Sequence, residues 1–237
     1  MWARTAWGPN RETPIIRKEL PGPREGFRWS LMPQLSNSFD PGTSASLRIR
    51  HMIITVSGPH GTGKSTYAAR LAKDLRIRHV SAGILFRKIA RENNLSLEEL
   101  GRKALEDSSI DKLVDERTVK EAEKGDVVID GQLAGWMMKD KADLRIYLTA
   151  PESVRLERIA KRDKVDIQDA RVQTAQRESV QRERYLRHYG FHVEDRSVYH
   201  LILDTSLGSI DDTARVLLDA ALMVKRAKRR TPRPTKP

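Results

Sequence analysis

The chain has 237 residues, of which 38% are hydrophobic and none is cysteine. That supplies apolar material for one sizeable core, while the lack of thiols rules out disulfides, zinc knuckles and cysteine nucleophiles and makes a reducing, cytoplasmic setting the expectation. The net charge of +12 invites a nucleic-acid or membrane-surface reading, yet it collects at the ends: residues 1–51 carry eight Lys/Arg against four Asp/Glu, residues 225–237 carry seven Lys/Arg and no acid, and the stretch between them holds 29 basic against 28 acidic residues.

Residues 1–51 mix Pro, Gly, Ser and Arg without strand or helix periodicity, a composition unable to bury a core. They read as a disordered basic extension or as sequence upstream of a true start at Met52. Their prolines and acids argue against a targeting presequence. No apolar run approaches the roughly 20 residues that a membrane span needs.

From Met52 the texture becomes alternating strands and helices with short connections, which predicts a parallel sheet covered by helices. Strands are expected over 52–56, 78–80, 127–130, 144–149 and 200–204. Helices are expected over 64–75, 84–92, 96–105, 110–124, 166–188 and 210–223, and another starts at Pro151, where a missing N–H costs nothing. Ser96 followed by Glu99 forms a capping-box signature. The domain plan is a catalytic domain over 52–224, with acceptor-binding helices at 81–125 and a lid region at 155–188, followed by a basic disordered tail at 225–237.

Gly58-Pro-His-Gly-Thr-Gly-Lys-Ser65 matches the phosphate-loop pattern G-x-x-x-x-G-K-[ST] at every fixed position, directly after a strand and opening a helix. Backbone N–H groups of such a loop point inward at a β-phosphate, and the positive end of the following helix adds to the attraction. Gly58, Pro59, His60, Gly61, Thr62, Gly63, Lys64, Ser65 and Thr66 are therefore the expected ATP-binding segment, with Lys64 reaching the β- and γ-phosphates and Ser65 ligating Mg²⁺. His60 and Thr62 fill variable positions and carry no assigned role; a lone histidine here is expected to be solvated. Asp130 ends an apolar strand, where a carboxylate beside the loop can hold a Mg²⁺-bound water. The competing reading is a strand-end Asp that opens a turn with Gly131.

Ser81-Ala-Gly-Ile-Leu-Phe-Arg87 follows the second strand, placing a hydroxyl (Ser81), a glycine (Gly83) and, one helical turn on, Arg87 around one spot. That suits an acceptor monophosphate, with Arg87 as a bidentate clamp; the competing reading is an ordinary exposed helical arginine. At this segment the chain resembles the nucleoside monophosphate kinases, and within them it looks most like the archaeal-type cytidylate kinases. The resemblance covers residues 52–206 and runs through His79-Val-Ser-Ala-Gly83, Asp130-Gly-Gln-Leu-Ala-Gly-Trp136, Arg158-Ile-Ala-Lys-Arg162, Arg177-Glu178, Arg184-Tyr185 and Tyr189-Gly190.

It implies a P-loop kinase fold, a five-stranded parallel α/β sheet with a helical acceptor-binding insertion and a short lid hairpin. It also implies transfer from ATP to CMP and dCMP with Mg²⁺. Arg158 and Arg162 match lid arginines, Arg177 and Arg184 match arginines facing the nucleotides, and Gly131, Gln132 and Gly135 fall in the acceptor segment. The expected catalytic set is Lys64, Asp130, Arg158 and Arg162. Spacing agrees, since i, i+4 and i, i+7 pairs share a helix face, although a solvated basic hairpin has the same pattern. Two positions depart from the family: Gln132 replaces an expected arginine, and Gln181 stands where an acid is usual.

Adenylate kinase, dephospho-coenzyme A kinase and shikimate kinase share the cradle, and adenylate kinase is the nearest rival. A nucleic-acid-binding protein with a regulatory phosphate loop is the alternative from another class; the near-neutral core and the missing groove-reading or base-stacking motifs speak against it. The tail Lys225-Arg-Ala-Lys-Arg-Arg230 is expected to give at most weak, salt-sensitive RNA attraction. The partners expected are small nucleotides, and the expected state is a monomer.

Overall fold

A computed structural model of the chain describes residues 51–230. The expected N-terminal extension up to residue 50, and residues 231–237 of the tail, lie outside the described residues. The element order is β1 (Ile53–Ser57), α1 (Lys64–Leu75), β2 (Arg78–Ser81), α2 (Ala82–Glu92), α3 (Leu97–Glu106), α4 (Ser109–Glu123), β3 (Val127–Asp130), α5 (Ala134–Met137), β4 (Leu144–Thr149), α6 (Glu152–Asp163), α7 (Ile167–Tyr189), β5 (Leu201–Asp204) and α8 (Ile210–Arg230).

The strands pair in parallel in the order β2-β3-β1-β4-β5. Strands β1, β3 and β4 are mostly apolar and largely buried because helices cover both of their faces. On one face, Ile54, Val56, Val128, Ile146 and Leu148 pack with Leu71 of α1 and Leu217 of α8; on the other, Val127 and Ile129 pack with Ala122, Ala134 and Met138. Register then sets the site. Val56 lies opposite Asp130 and Ser81 opposite Asp130, so the carboxyl ends of β1, β2 and β3 finish level. Ligands of open parallel sheets bind outside those ends.

A satellite core of Ile89, Ala90, Leu100 and Val114 joins α2, α3 and α4 into a helical insertion. Ser96 and Glu99 close the capping box that opens α3. Helices α6 and α7 form a hairpin whose turn uses Lys164 in the left-handed region and Asp166 as N-cap, accepting from Gln168 N at 2.7 Å.

Two differences from the sequence expectations stand out. The short helix α5 is not visible in the periodicity because four residues are barely one turn. Helix α8 runs through Lys225–Arg230, residues expected to begin the disordered tail. Lys and Arg are good helix formers and favour a helix C-terminus, and Lys228 is anchored by the His51 carbonyl and the Asp143 carboxylate, each at 2.6 Å.

Candidate active site

The phosphate loop links β1 to α1, and the directions of its carbonyls explain its shape. Pro59 O accepts from Lys64 Nζ at 2.8 Å and from Thr62 Oγ1 at 2.9 Å. His60 O accepts from Arg155 Nη1 at 2.9 Å, Gly61 O from Arg158 Nη1 at 3.5 Å, and Thr62 O from Thr205 Oγ1 at 3.2 Å. Donors from α1, α6 and the β5–α8 connection thus engage successive carbonyls. Oxygens turned toward protein donors leave the loop N–H groups for an anion. Helix α6 packs so close that a Cβ on Gly61, whose φ is +80°, would sit 2.5 Å from the Arg155 carbonyl oxygen.

Lys64 is enclosed. Burial pulls its ammonium down to about 8, against the opposing pull of the Asp130 and Glu178 carboxylates. His60 is half-buried rather than solvated, in contrast to the sequence expectation: its Nε2 lies 2.9 Å from Gln181 Oε1 of α7. Its pKa falls to about 4, first by burial, then through the charge of Lys64, with Arg177 and Arg162 adding smaller pushes.

Asp130, 2% exposed, is a hub at the end of β3. Its Oδ1 accepts from Ser65 Oγ at 2.9 Å and from Ser81 Oγ at 3.1 Å, and its Oδ2 lies 2.7 Å from His79 Nε2. Ser81 also caps α2, accepting from Ile84 N at 3.3 Å. The phosphate loop and the start of α2 therefore meet on one buried carboxylate. Ser65 and Asp130 together offer hard oxygen donors suited to a magnesium ion that keeps several waters.

Arg87 folds back over the start of its helix. Its Nη1 and Nη2 lie 3.6 and 3.9 Å from where a Cβ on Gly83 would stand, and Ser81 Oγ lies 3.8 Å from the same point. Arg162 forks onto Asp163 with two bonds of 2.8 Å. That bond holds the Asp163 carboxyl below its usual range, with the fields of Arg177 and Arg87 adding to it. Guanidinium groups from α2, α6 and α7 thus bear on one carboxylate at the end of α6.

Arg158 does not join this cluster. Its guanidinium is held by Thr205, Nη1 to Oγ1 and Nη2 to the backbone oxygen, both at 2.8 Å, and it braces the loop from beneath. Helical spacing put Arg158 and Arg162 on one face, but the wall of the β5–α8 connection captures the first. Arg184 differs more from the expectation that it faces the nucleotides. It is 3% exposed, with Nε 2.9 Å from Asp111 Oδ2 and its guanidinium over the rings of Phe86 and Tyr185 at 5.1 and 5.2 Å. The angle does not satisfy hydrogen-bond geometry, so both atoms lack a hydrogen-bonding partner. Burial also raises Asp111 and lifts the neighbouring Asp115, which accepts from Tyr189 OH, to about 6.

Gln132 is half-buried in the turn between β3 and α5, after Gly131, whose N–H donates to Val56 O at 3.2 Å. Gly135 N donates to Ser57 Oγ at 3.0 Å, and a Cβ there would lie 2.2 Å from the Tyr199 ring, so a larger residue would have to displace the ring. Trp136 stacks on Phe191 with centroids 4.8 Å apart.

Sequence reading missed Arg155, whose Nη1 ties His60 O to Glu178 Oε1 at 2.8 Å, and it missed His79 and Thr205. Arg155 was accessible as the i−3 neighbour of Arg158 on the same helix face. Thr205 had no local signal because its partners lie across the fold.

A parallel sheet of this order, with a phosphate loop between its central strand and first helix, defines the P-loop kinase fold. Among solved structures, an uncharacterized protein from Eubacterium ventriosum superposes with a TM-score of 0.58 at 17% identity, covering 73% of this chain and 99% of that one. A shikimate kinase from Acinetobacter baumannii in complex with shikimate gives 0.50 at 21% identity, covering 74% and 95%. At these identities the likeness is one of fold. Residues 53–207 match the cytidylate kinase-like family, and the chain belongs to that family. A cytidylate kinase of Aeropyrum pernix is 49% identical over 166 residues, 70% of this chain and 96% of the relative, and one of Staphylothermus marinus is 44% identical over 166 residues, 70% and 94%.

Proposed function

We propose that this protein transfers the γ-phosphoryl group of ATP to CMP and dCMP, giving ADP and CDP or dCDP. The observation that carries the reading is the Asp130 hub: Ser65 of the donor loop and Ser81 of the acceptor segment bond the same carboxylate oxygen. The preference for a cytidine nucleotide draws on the relatives named cytidylate kinase.

Phosphoryl transfer asks a protein for in-line positioning and for positive charge on the equatorial oxygens. The loop N–H groups and Lys64 would hold the donor phosphates, and Ser81 and Arg87 the acceptor phosphate. An oxygen of that phosphate attacks the γ-phosphorus as the bond to the β–γ bridging oxygen breaks. The attacking oxygen carries no proton, so no general base is required. His79 would orient Asp130, and Arg162 and Arg177 would meet the charge spreading between donor and acceptor. Ser65 and Asp130 would hold Mg²⁺, which when bound neutralises charge on the donor phosphates. Among the described residues no helix is long and apolar enough to cross a membrane.

Initial rates with CMP, dCMP, UMP, AMP and shikimate under ATP and Mg²⁺ test the reading. CMP and dCMP are expected to give the highest kcat/KM. Preferred turnover of AMP would make the protein an adenylate kinase, and turnover of shikimate alone would overturn the nucleotide acceptor.

A further inference from the structure

His60 occupies a variable position of the phosphate loop, yet it is the loop residue whose side chain reaches the lid hairpin. Its Nε2 lies 2.9 Å from Gln181 Oε1, a distance suited to the ring N–H donating to the carboxamide oxygen. Its own carbonyl is fixed by Arg155, which also holds Glu178, three residues before Gln181 on α7. His60 is therefore gripped by α6 at its backbone and by α7 at its side chain. Gln181 and Arg177 are four residues apart, hence neighbours on one helix face.

We propose that the His60–Gln181 hydrogen bond is a positioning contact for phosphoryl transfer: it locks α7 to the phosphate loop so that Arg177 is carried beside Lys64 at the transferring group. The inference rests on the kinase reading above.

The charge arrangement supports it. The groups that bear on the ring are Lys64 from α1, Arg162 from α6 and Arg177 from α7, with the Arg155–Glu178 pair on its carbonyl side. All three groups acting directly on the ring are cations that an incoming polyphosphate would need. A protonated imidazole among them would add a fourth positive charge in a half-buried setting. The neutral ring makes the contact to α7 without that cost, and the carboxamide of Gln181 accepts its hydrogen without drawing a proton onto the ring. A carboxylate at position 181 would do the opposite, since an opposite charge within a few ångströms favours the protonated form. The neutral pair thus makes the contact without adding charge to the site. It would act chiefly when charge moves between donor and acceptor, and so would appear in kcat.

The test uses the full chain with ATP, Mg²⁺ and CMP. His60→Ala and Gln181→Ala should each lower kcat by about fivefold to tenfold, the worth of one hydrogen bond, with KM for ATP changed less than about twofold. The double variant should lose no more than either single one, because both remove the same contact. Gln181→Glu should raise the ionisation of the His60 ring above its wild-type value of about 4 and so bring a new acid limb into the kcat profile, and His60→Ala in that background should abolish it. Losses that multiply in the double variant, an unchanged kcat in either single variant, or a pH profile of Gln181→Glu like that of the wild type would each overturn the proposal. A fall in thermal midpoint with kcat intact would make the contact purely structural and equally sink it. Failure of the wild-type protein to phosphorylate CMP would count instead against the kinase reading.

Discussion

Ser65 and Asp130 are joined by a 2.9 Å hydrogen bond that spans the gap between the end of the phosphate loop and the end of β3. The two residues are 65 positions apart, and the parallel pairing of β1 with β3 brings them together. A hydroxyl and a carboxylate in contact would share one Mg²⁺ coordination sphere. Asp130→Asn keeps the shape but loses the charge, and should lower kcat/KM by about 10- to 100-fold, the range for a charge-assisted contact. Half-saturation by Mg²⁺ should shift to higher concentration in both Asp130→Asn and Ser65→Ala. A magnesium titration of the initial rate checks this; unchanged half-saturation in both variants would remove them from the metal site.

Lys64 carries a pH signature. Burial depresses its ammonium to about 8, so in the free protein it discharges as pH rises through that value, while the unfolded chain keeps the charge up to about 10.4. Bound phosphates would restore the charged form, so ATP binding above pH 8 should take up a proton and weaken with rising pH. The expected outcome is a kcat/KM for ATP that falls through about pH 8, read from a pH–rate profile. Lys64→Arg should remove that limb, because arginine stays charged throughout. Lys64→Ala should abolish transfer while circular dichroism shows an intact fold.

The arginines separate by where they sit. Arg87 lies over Gly83 and Ser81, placed to grip the acceptor phosphate before chemistry, so Arg87→Ala should raise KM for CMP at least tenfold, and lysine should restore little because it lacks the planar two-donor fork. Arg162→Ala should lower kcat with a smaller change in either KM. Arg184→Ala should act on folding, since it leaves Asp111 buried without its counter-charge; breaking such a pair costs about 3–5 kcal/mol. Steady-state kinetics beside denaturant unfolding distinguishes the three. An Arg184→Ala protein of normal stability with a raised KM would return that residue to the nucleotide site.

Truncation distinguishes helix from tail. A chain of residues 51–230 should keep wild-type turnover and acceptor preference, because every named site residue lies within it. Ending at residue 224 removes Lys228 from Asp143 and from the His51 carbonyl, and should lower the thermal midpoint by a few degrees at unchanged kcat. Equal midpoints for the two lengths would show that the last turns of α8 contribute nothing to stability.

Local chemistry in the sequence determined a good deal of this protein. The phosphate loop announces itself because a tight anion-binding turn tolerates few residue types, and the strands β3 and β4 are legible because apolar runs bounded by turn residues have few other uses. Ser81, Gly83 and Arg87 could be grouped only through the family resemblance, since their spacing alone equally fits an exposed helical arginine. Other relationships were set only by the tertiary structure. Arg158 and Arg162 have the same helical spacing and the same charge, yet Thr205 captures one while Asp163 holds the other. Arg184 is expected from the resemblance to face the nucleotides, but it is buried because α4 brings Asp111 against it. His60 and Gln181 are 121 residues apart, and nothing local to either one foretells that they meet. A helix face states which residues point the same way; what lies opposite that face is decided by how distant segments pack, and one chain's periodicity carries no record of it.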